Sequence, residues 1–180
     1  MAIRGGLVED DAGFRDFVAA RLARLSRVAY LLIGSHHVAQ DLVQSVLIKV
    51  AKQWPRAAHL DQPDIYLRKA LYHEHVSSWP RHRRELSVAE TPPATSHTDE
   101  AETAVRRLVL RQALTRLTPR QRAVIVLRYF EDLSEQDTAE ALGCTVGTVK
   151  SQTHHALARL RTLAPELADL VRGSTQEVPA

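Results

Sequence analysis

The chain has 180 residues, 44% hydrophobic and 25% charged; these are globular proportions and exclude wholesale disorder. Lys and Arg number 24 against 21 Asp and Glu, so the net charge is +3 with histidine neutral. A value this modest neither establishes nor excludes a nucleic-acid partner, and local clustering must decide. No apolar run nears the ~18 residues of a membrane span, the opening Met1–Gly6 and its acidic sequel do not read as a secretory signal, and one cysteine, Cys144, excludes an internal disulfide and a Cys-based zinc site. A cytoplasmic location without membrane contact is expected.

Apolar residues recur at helical spacing almost throughout, which makes the fold class all-α. Phe14, Phe17, Val18, Leu22, Leu25, Val28, Ala29 and Leu32 form one stripe, stopped by Gly34, with Ser35 placed to cap the next helix. Val38, Leu42, Val43, Val46, Leu47, Val50 and Trp54 form a second, ended by Pro55. A third helix starts near Asp64 and runs through Leu67, Ala70 and Leu71 toward Trp79, where Pro80 ends or kinks it. Residues 85–98 hold Pro92-Pro93 and small polar residues without periodicity and read as a flexible linker. Two small helical domains follow from this, residues 10–84 and 99–164, with a frayed tail over 165–180.

The second domain is clearly punctuated. Asp99 caps a helix carrying Val105, Leu108, Val109 and Leu117. Thr118-Pro119-Arg120-Gln121 is a capping box with proline at the first helical position. Ser134 starts a short helix ending at Leu142-Gly143, and Thr145 caps a last helix with Val149, Ala156, Leu157, Leu160 and Leu163 inward. Short helix, glycine turn and longer helix make a helix-turn-helix. The outer face of the last helix offers Thr148, Lys150, Ser151, Gln152, His154 and His155, short polar or cationic side chains suited to the major groove. An αα-corner with a solvated polar face is the plainer alternative.

Two further constellations stand out. Asp41 and Gln44 are three apart and share a helix face beside an apolar stripe, the arrangement a partner helix needs. From Tyr66 to Arg84, the cations Arg68, Lys69, Arg81, Arg83 and Arg84 interleave with Tyr72, His73, His75 and Trp79. Aromatic rings beside cations suit single-stranded DNA, by stacking on bases and tracking phosphate; core anchoring by Tyr72 and Trp79 is the other reading of the same residues. His73-Glu74-His75 lacks the i, i+4 spacing of a helical zinc site, so no metal and no cofactor are expected. With no phosphate loop, nucleophile elbow or acid/base pair in view, neither is an enzyme.

The run Leu114 to Ser134, continued by Thr138 to Ser151 and Ala156 to Arg161, resembles the C-terminal domain of extracytoplasmic-function sigma factors. In the first half Tyr30-Leu-Leu-Ile-Gly34, Ala39-Gln-Asp-Leu-Val-Gln-Ser45 and Trp54 resemble the family's N-terminal domain. The likeness covers about Phe14 to Arg161, most like short actinobacterial members. It implies a transcription-initiation factor whose partners are core RNA polymerase and promoter DNA, with an anti-sigma factor as a further partner that many members have. It implies that Asp41, Leu42, Gln44, Ser45 and Lys49 lie on the helix that docks on polymerase. Arg68, Lys69, Tyr72, His73, Trp79, Arg81, Arg83 and Arg84 would meet a melted −10 element. Thr145, Thr148, Lys150, Ser151, Gln152, His154 and His155 would meet a duplex −35 element. The sequence departs from the family at His73, where Asn is usual, at Ser77, where an acid is usual, and at Pro80. It departs again at Gln152 and His155, where Arg is common. Two alternatives share the same motifs: a stand-alone helix-turn-helix regulator, and a polymerase-binding adaptor with weakened promoter recognition.

Overall fold

The computed structural model of the chain describes residues 4–58, 63–85 and 108–165, with side chains over 12–55, 57–58, 63–78 and 108–165. Among these residues all regular structure is helical. The N-terminal half holds α1 (Arg4–Ala19), α2 (Leu22–Ile33), α3 (His36–Ala57) and α4 (Pro63–Glu85). The C-terminal half holds α5, described over 108–115, then α6 (Pro119–Ile125), a π-helical turn (Val126–Phe130), α7 (Glu135–Leu142) and α8 (Val146–Leu163). The expected linker beyond Glu85, Asp99, Val105 and the tail beyond Pro165 lie outside the described residues.

Local chemistry sets most boundaries. The single first stripe expected through Leu32 is two helices, because the chain turns at Ala20-Arg21. The turn resets the helical phase and leaves Leu22 42% exposed, while Arg21 lies over the Phe17 ring at 4.1 Å. Gly34 ends α2 at φ 87, a left-handed conformation that glycine adopts without a Cβ penalty. Ser35 stands at the N-cap of α3 in extended backbone, although its side chain makes no capping bond.

The expectation that Pro55 ends its helix needs correction, and so does an end at Pro80. α3 runs through Pro55 to Ala57, and α4 runs through Pro80 to Glu85. A proline forfeits one backbone bond and crowds the preceding turn. Ala58 N–H still reaches the Trp54 carbonyl at 2.8 Å, so α3 closes its last turn past Pro55. In the second half the punctuation holds. Thr118 and Gln121 form the reciprocal capping box with Pro119 inside it, Ser134 accepts from the Asp137 amide, and Thr145 accepts from the Thr148 amide.

The stripes of α2, α3 and α4 bury Leu32, Ile33, Leu42, Val46, Val50 and Leu71 almost completely, each such side chain worth about 1.5–3 kcal/mol of transfer free energy. This core does not stop at the end of the first half. Ala123, Val126, Leu127 and Ala141 belong to it, so α6, the π turn and α7 pack directly on α2 and α4. A smaller cluster joins α5 to α6 and α8 through Leu114, Leu117, Ile125, Ala156 and Leu160, and a third of Val124, Ala139 and Val149 anchors the helix-turn-helix.

Polar ties reinforce the seam between the halves. Arg122, fully buried, donates to the Leu32 carbonyl at the end of α2; burial lowers its pKa to about 10. Arg111 donates to the Tyr30 hydroxyl. At Gly34 the approach is so close that a Cβ would stand 2.4 Å from Thr115 Cγ2 on α5.

Candidate nucleic-acid interface

The helix-turn-helix is built as its sequence implies. Gly143 ends α7 at φ 62, its amide reaching back to Glu140, and the backbone turns through Cys144 into the Thr145 cap of α8. Val149, fully buried, and Ala139 lock the two helices together. Thr145, Lys150, Ser151, His154 and His155 are exposed, while Thr148 and Gln152 are half-buried. Lys150 lies 3.6 Å from Glu135, an ion pair exposed enough to yield to a phosphate. The cap that orders the start of α8 thus holds short hydroxyls and one cation on a rigid face, the geometry of a groove-reading helix.

Thr148 and Gln152 do not face solvent as Lys150 does. They line a cavity of about 290 Å³ between α8 and α4, together with His73, Val76, Arg120 and Gly143. Cys144 borders the same space; burial raises its thiol pKa, against the opposing charge of Arg120.

α4 presents a divided surface. His73 is exposed, and Arg68 and Lys69 are half-buried. Tyr72 corrects the expectation of a base-stacking ring. It is 1% exposed, packed in the main core, and its hydroxyl has no hydrogen-bond partner among the described residues. Burial, reinforced by the charge of Glu131, pushes the phenol pKa far above its ordinary value. The side chains of Trp79, Arg81, Arg83 and Arg84 lie outside the described residues.

The cations of α4 are engaged. Arg68 Nε lies 3.4 Å from Glu131 Oε2, and Arg24 Nε on α2 reaches Glu131 Oε1 at 2.9 Å. Lys69 meets Glu140 of α7 at 3.0 Å. Beside them Arg21 forks onto Asp64 at 2.5 and 2.8 Å, which holds that carboxyl below its ordinary range. Arg21, Arg24, Asp64, Arg68 and Glu131 rim a cavity of about 330 Å³ that Leu25, Leu67 and Tyr72 also line.

The outer face of α3 differs. Asp41, Gln44 and Lys49 are exposed and Ser45 half-exposed. Leu42 is a second correction: at 1% exposure it belongs to the core stripe, one residue out of phase with the polar face. Ile48 takes its place. It is 57% exposed and lies seven residues from Asp41 and four from Gln44, on the same face. It stands outside the expected set, yet its signal is in the sequence: an isoleucine off the Val43, Val46, Leu47 and Val50 stripe. Lys49 also pairs with Glu74 of α4.

Among the described residues no group of three or more His, Cys, Asp or Glu side chains is placed to hold a metal ion, and no helix is long and apolar enough to cross a membrane.

Known proteins similar to this chain in sequence or shape include RNA polymerase sigma factors. The family described as Sigma-70, region 4 matches residues 107–160, the span of α5 to α8. The chain is 38% identical over 148 residues to the RNA polymerase sigma-E factor of Streptomyces avermitilis, covering 82% of this chain and 83% of that protein. It is 29% identical to the ECF RNA polymerase sigma factor SigL of Mycobacterium tuberculosis, covering 92% and 96%. The sigma factor RpoE of Bartonella quintana, solved in complex with the anti-sigma factor NepR, superposes with a TM-score of 0.62 at 28% identity, over 85% of this chain and 97% of that one.

Proposed function

The chain belongs to the extracytoplasmic-function sigma factors of RNA polymerase, and from that premise we propose which of its surfaces does what. As a sigma factor it binds core polymerase and directs promoter-specific initiation. The outer face of α3, with Asp41, Gln44, Ser45, Ile48 and Lys49, docks on the polymerase, the apolar Ile48 at its centre and the polar residues around it. α4 and the basic run Arg81, Arg83 and Arg84 hold the melted −10 strand, with Arg68, Lys69 and His73 on the approach. α8 reads the −35 duplex through Thr145, Thr148, Lys150, Ser151, Gln152, His154 and His155. The boundaries 10–84 and 99–164 divide these tasks between two domains.

The capped helix-turn-helix, in a chain this similar to a named sigma factor over four-fifths of its length, carries the assignment. Its work is binding rather than catalysis. Duplex contact at −35 fixes position. Capture of unpaired −10 bases, worth about 1–3 kcal/mol per stacked base, offsets an unstacking cost of a few kcal/mol per flipped nucleotide, and the equilibrium shifts toward the open promoter. The site of action is the cytoplasm, where polymerase and DNA meet, and an anti-sigma factor is the regulatory partner that fits this class.

Adding the purified chain to core polymerase with fragmented genomic DNA, and sequencing transcript 5′ ends, tests the assignment. Discrete starts that share two upstream elements are expected. Random starts, from a polymerase active with another sigma factor, would reject it.

A further inference from the structure

The charges around the cavity between α2 and α4 do not cancel. Arg21 commits its fork to Asp64 at 2.5 and 2.8 Å and a further N–H to the Phe17 carbonyl at 3.2 Å, so that pair is closed. Arg24 and Arg68 share the one remaining carboxylate, Glu131. Three arginines against two acids leave the rim one positive charge in surplus. The surplus falls at Arg68. Its Nε stands 3.4 Å from Glu131 Oε2, beyond the ~2.7–2.9 Å of a charge-assisted hydrogen bond, whereas Arg24 meets Oε1 at 2.9 Å.

Behind the rim the wall is aliphatic, with Leu25, Leu67 and Leu71. Tyr72 belongs to the same wall, and its hydroxyl has no partner among the described residues. Burial, then the charges of Glu131, Arg68 and Arg24, act on that phenol, so the hydroxyl lies toward the charged side. A buried hydroxyl without an acceptor costs stability that a phenylalanine would not. A cavity of about 330 Å³, mostly apolar with a few convergent polar groups, has the make-up of a small-molecule site at the lower end of the usual size range.

We propose that this cavity binds a small amphipathic carboxylate, its headgroup between Arg24 and Arg68 and accepting from the Tyr72 hydroxyl, its hydrocarbon against Leu25, Leu67 and Leu71. A carboxylate brings the single negative charge that the rim lacks, and its two oxygens suit a guanidinium fork. A phosphate monoester carries about −1.5 to −2 at pH 7, more than the surplus, and Glu131 repels the excess. A neutral hydrocarbon leaves Arg68 unmet. The site goes beyond the sigma-factor assignment and shares only Arg68 with the surfaces assigned above to polymerase and DNA.

The test titrates octanoate into the full chain, read by calorimetry and by thermal unfolding, with 1-octanol and acetate as probes lacking the headgroup and the hydrocarbon. The variants are R68Q and Y72F. K52Q removes a cation at an exposed position of α3 outside the cavity and controls for charge. Wild type should bind octanoate with a Kd on the order of 0.1 mM and melt higher as octanoate is added, since the ligand binds the folded chain. 1-Octanol and acetate should bind at least about tenfold more weakly. R68Q should weaken octanoate about tenfold and Y72F about threefold, with K52Q unchanged. A melting temperature that falls with octanoate, or an affinity no better than that of 1-octanol, overturns the proposal. Undiminished binding in R68Q and Y72F does so too. R68Q takes a cation from buried Glu131; if it fails to fold, undiminished binding in Y72F alone overturns the site.

Discussion

The outer face of α3 and the faces of α4 and α8 that we propose meet DNA differ in how they meet solvent. On α3, Asp41, Gln44 and Ile48 are exposed, and Lys49 is exposed while paired with Glu74 of α4, on a helix whose back is buried through Leu42, Val43 and Val46. On α4, Arg68 and Lys69 are held by acids of the other half, and on α8, Thr148 and Gln152 face inward. On the proposed assignment, the face that meets polymerase is exposed, while part of the face that meets DNA, a polyanion to which any cation is attracted, is engaged within the chain.

The sharpest way to break that contrast is at Ile48. Replacing it with Glu should cut affinity for core polymerase by about a hundredfold, the cost of a central apolar anchor. Thermal unfolding should not change, because the side chain is solvated in the unbound chain. A polymerase titration followed by fluorescence anisotropy measures it, and an unaltered affinity would move the docking site elsewhere.

The seam comes next. Gly34→Ala forces a Cβ against Thr115 at a backbone φ of +87 and should cost about 1–3 kcal/mol in urea unfolding. Since Thr115 lies on α5, the variant should also have a larger radius of gyration than wild type.

A smaller effect is expected at Tyr72. Its phenol pKa is raised in the folded state from the ordinary value of 10.0, so the folded chain keeps a proton that the unfolded chain loses. Stability from this group is complete below pH 10 and declines as pH rises beyond it. Tyr72→Phe should flatten that alkaline decline and, by removing a buried hydroxyl without a partner, leave stability at neutral pH unchanged or higher by up to about 1 kcal/mol. Asp64 gives the opposite sign on the acid side. Its pKa is lowered by Arg21, so its contribution is present above pH ~4 and is lost as pH falls through the folded pKa. Asp64→Asn should blunt acid destabilisation below pH ~4 in an acid titration followed by circular dichroism.

The smallest shift belongs to α8. Converting Gln152 and His155 to Arg should steepen the dependence of promoter affinity on salt by about one unit of slope for each new phosphate contact. His155, already exposed, should gain more than Gln152, which must first leave its cavity.

Much of this architecture is legible in the sequence because it is written in local rules. The capping box at Thr118, the caps at Ser134 and Thr145, and the left-handed glycines Gly34 and Gly143 are each specified by a few adjacent residues, and the folded chain uses every one of those glycines and capping side chains. What escapes is long-range. Tyr72 reads equally as a stacking ring beside its cations or as a core anchor, and only the packing of α4 on the shared core decides that it is buried. Leu42 and Ile48 are both apolar and six apart, and their opposite fates follow from the phase of α3 against α2 and α4. The pairing of Glu131 with Arg24, 107 positions away, has no local signature, and the π turn that delivers it is a regular helical stretch by pattern alone. Pro55 misleads for the complementary reason: a strong local breaker is overruled where the next turn still closes, Ala58 N–H reaching the Trp54 carbonyl.

The shared core has a consequence for how the chain unfolds. Ala123, Val126, Leu127 and Ala141 of the second half are buried in the cluster built by the first, so neither half loses its packing without wetting apolar surface of the other. The described helices should therefore melt in one cooperative transition rather than as two independent units.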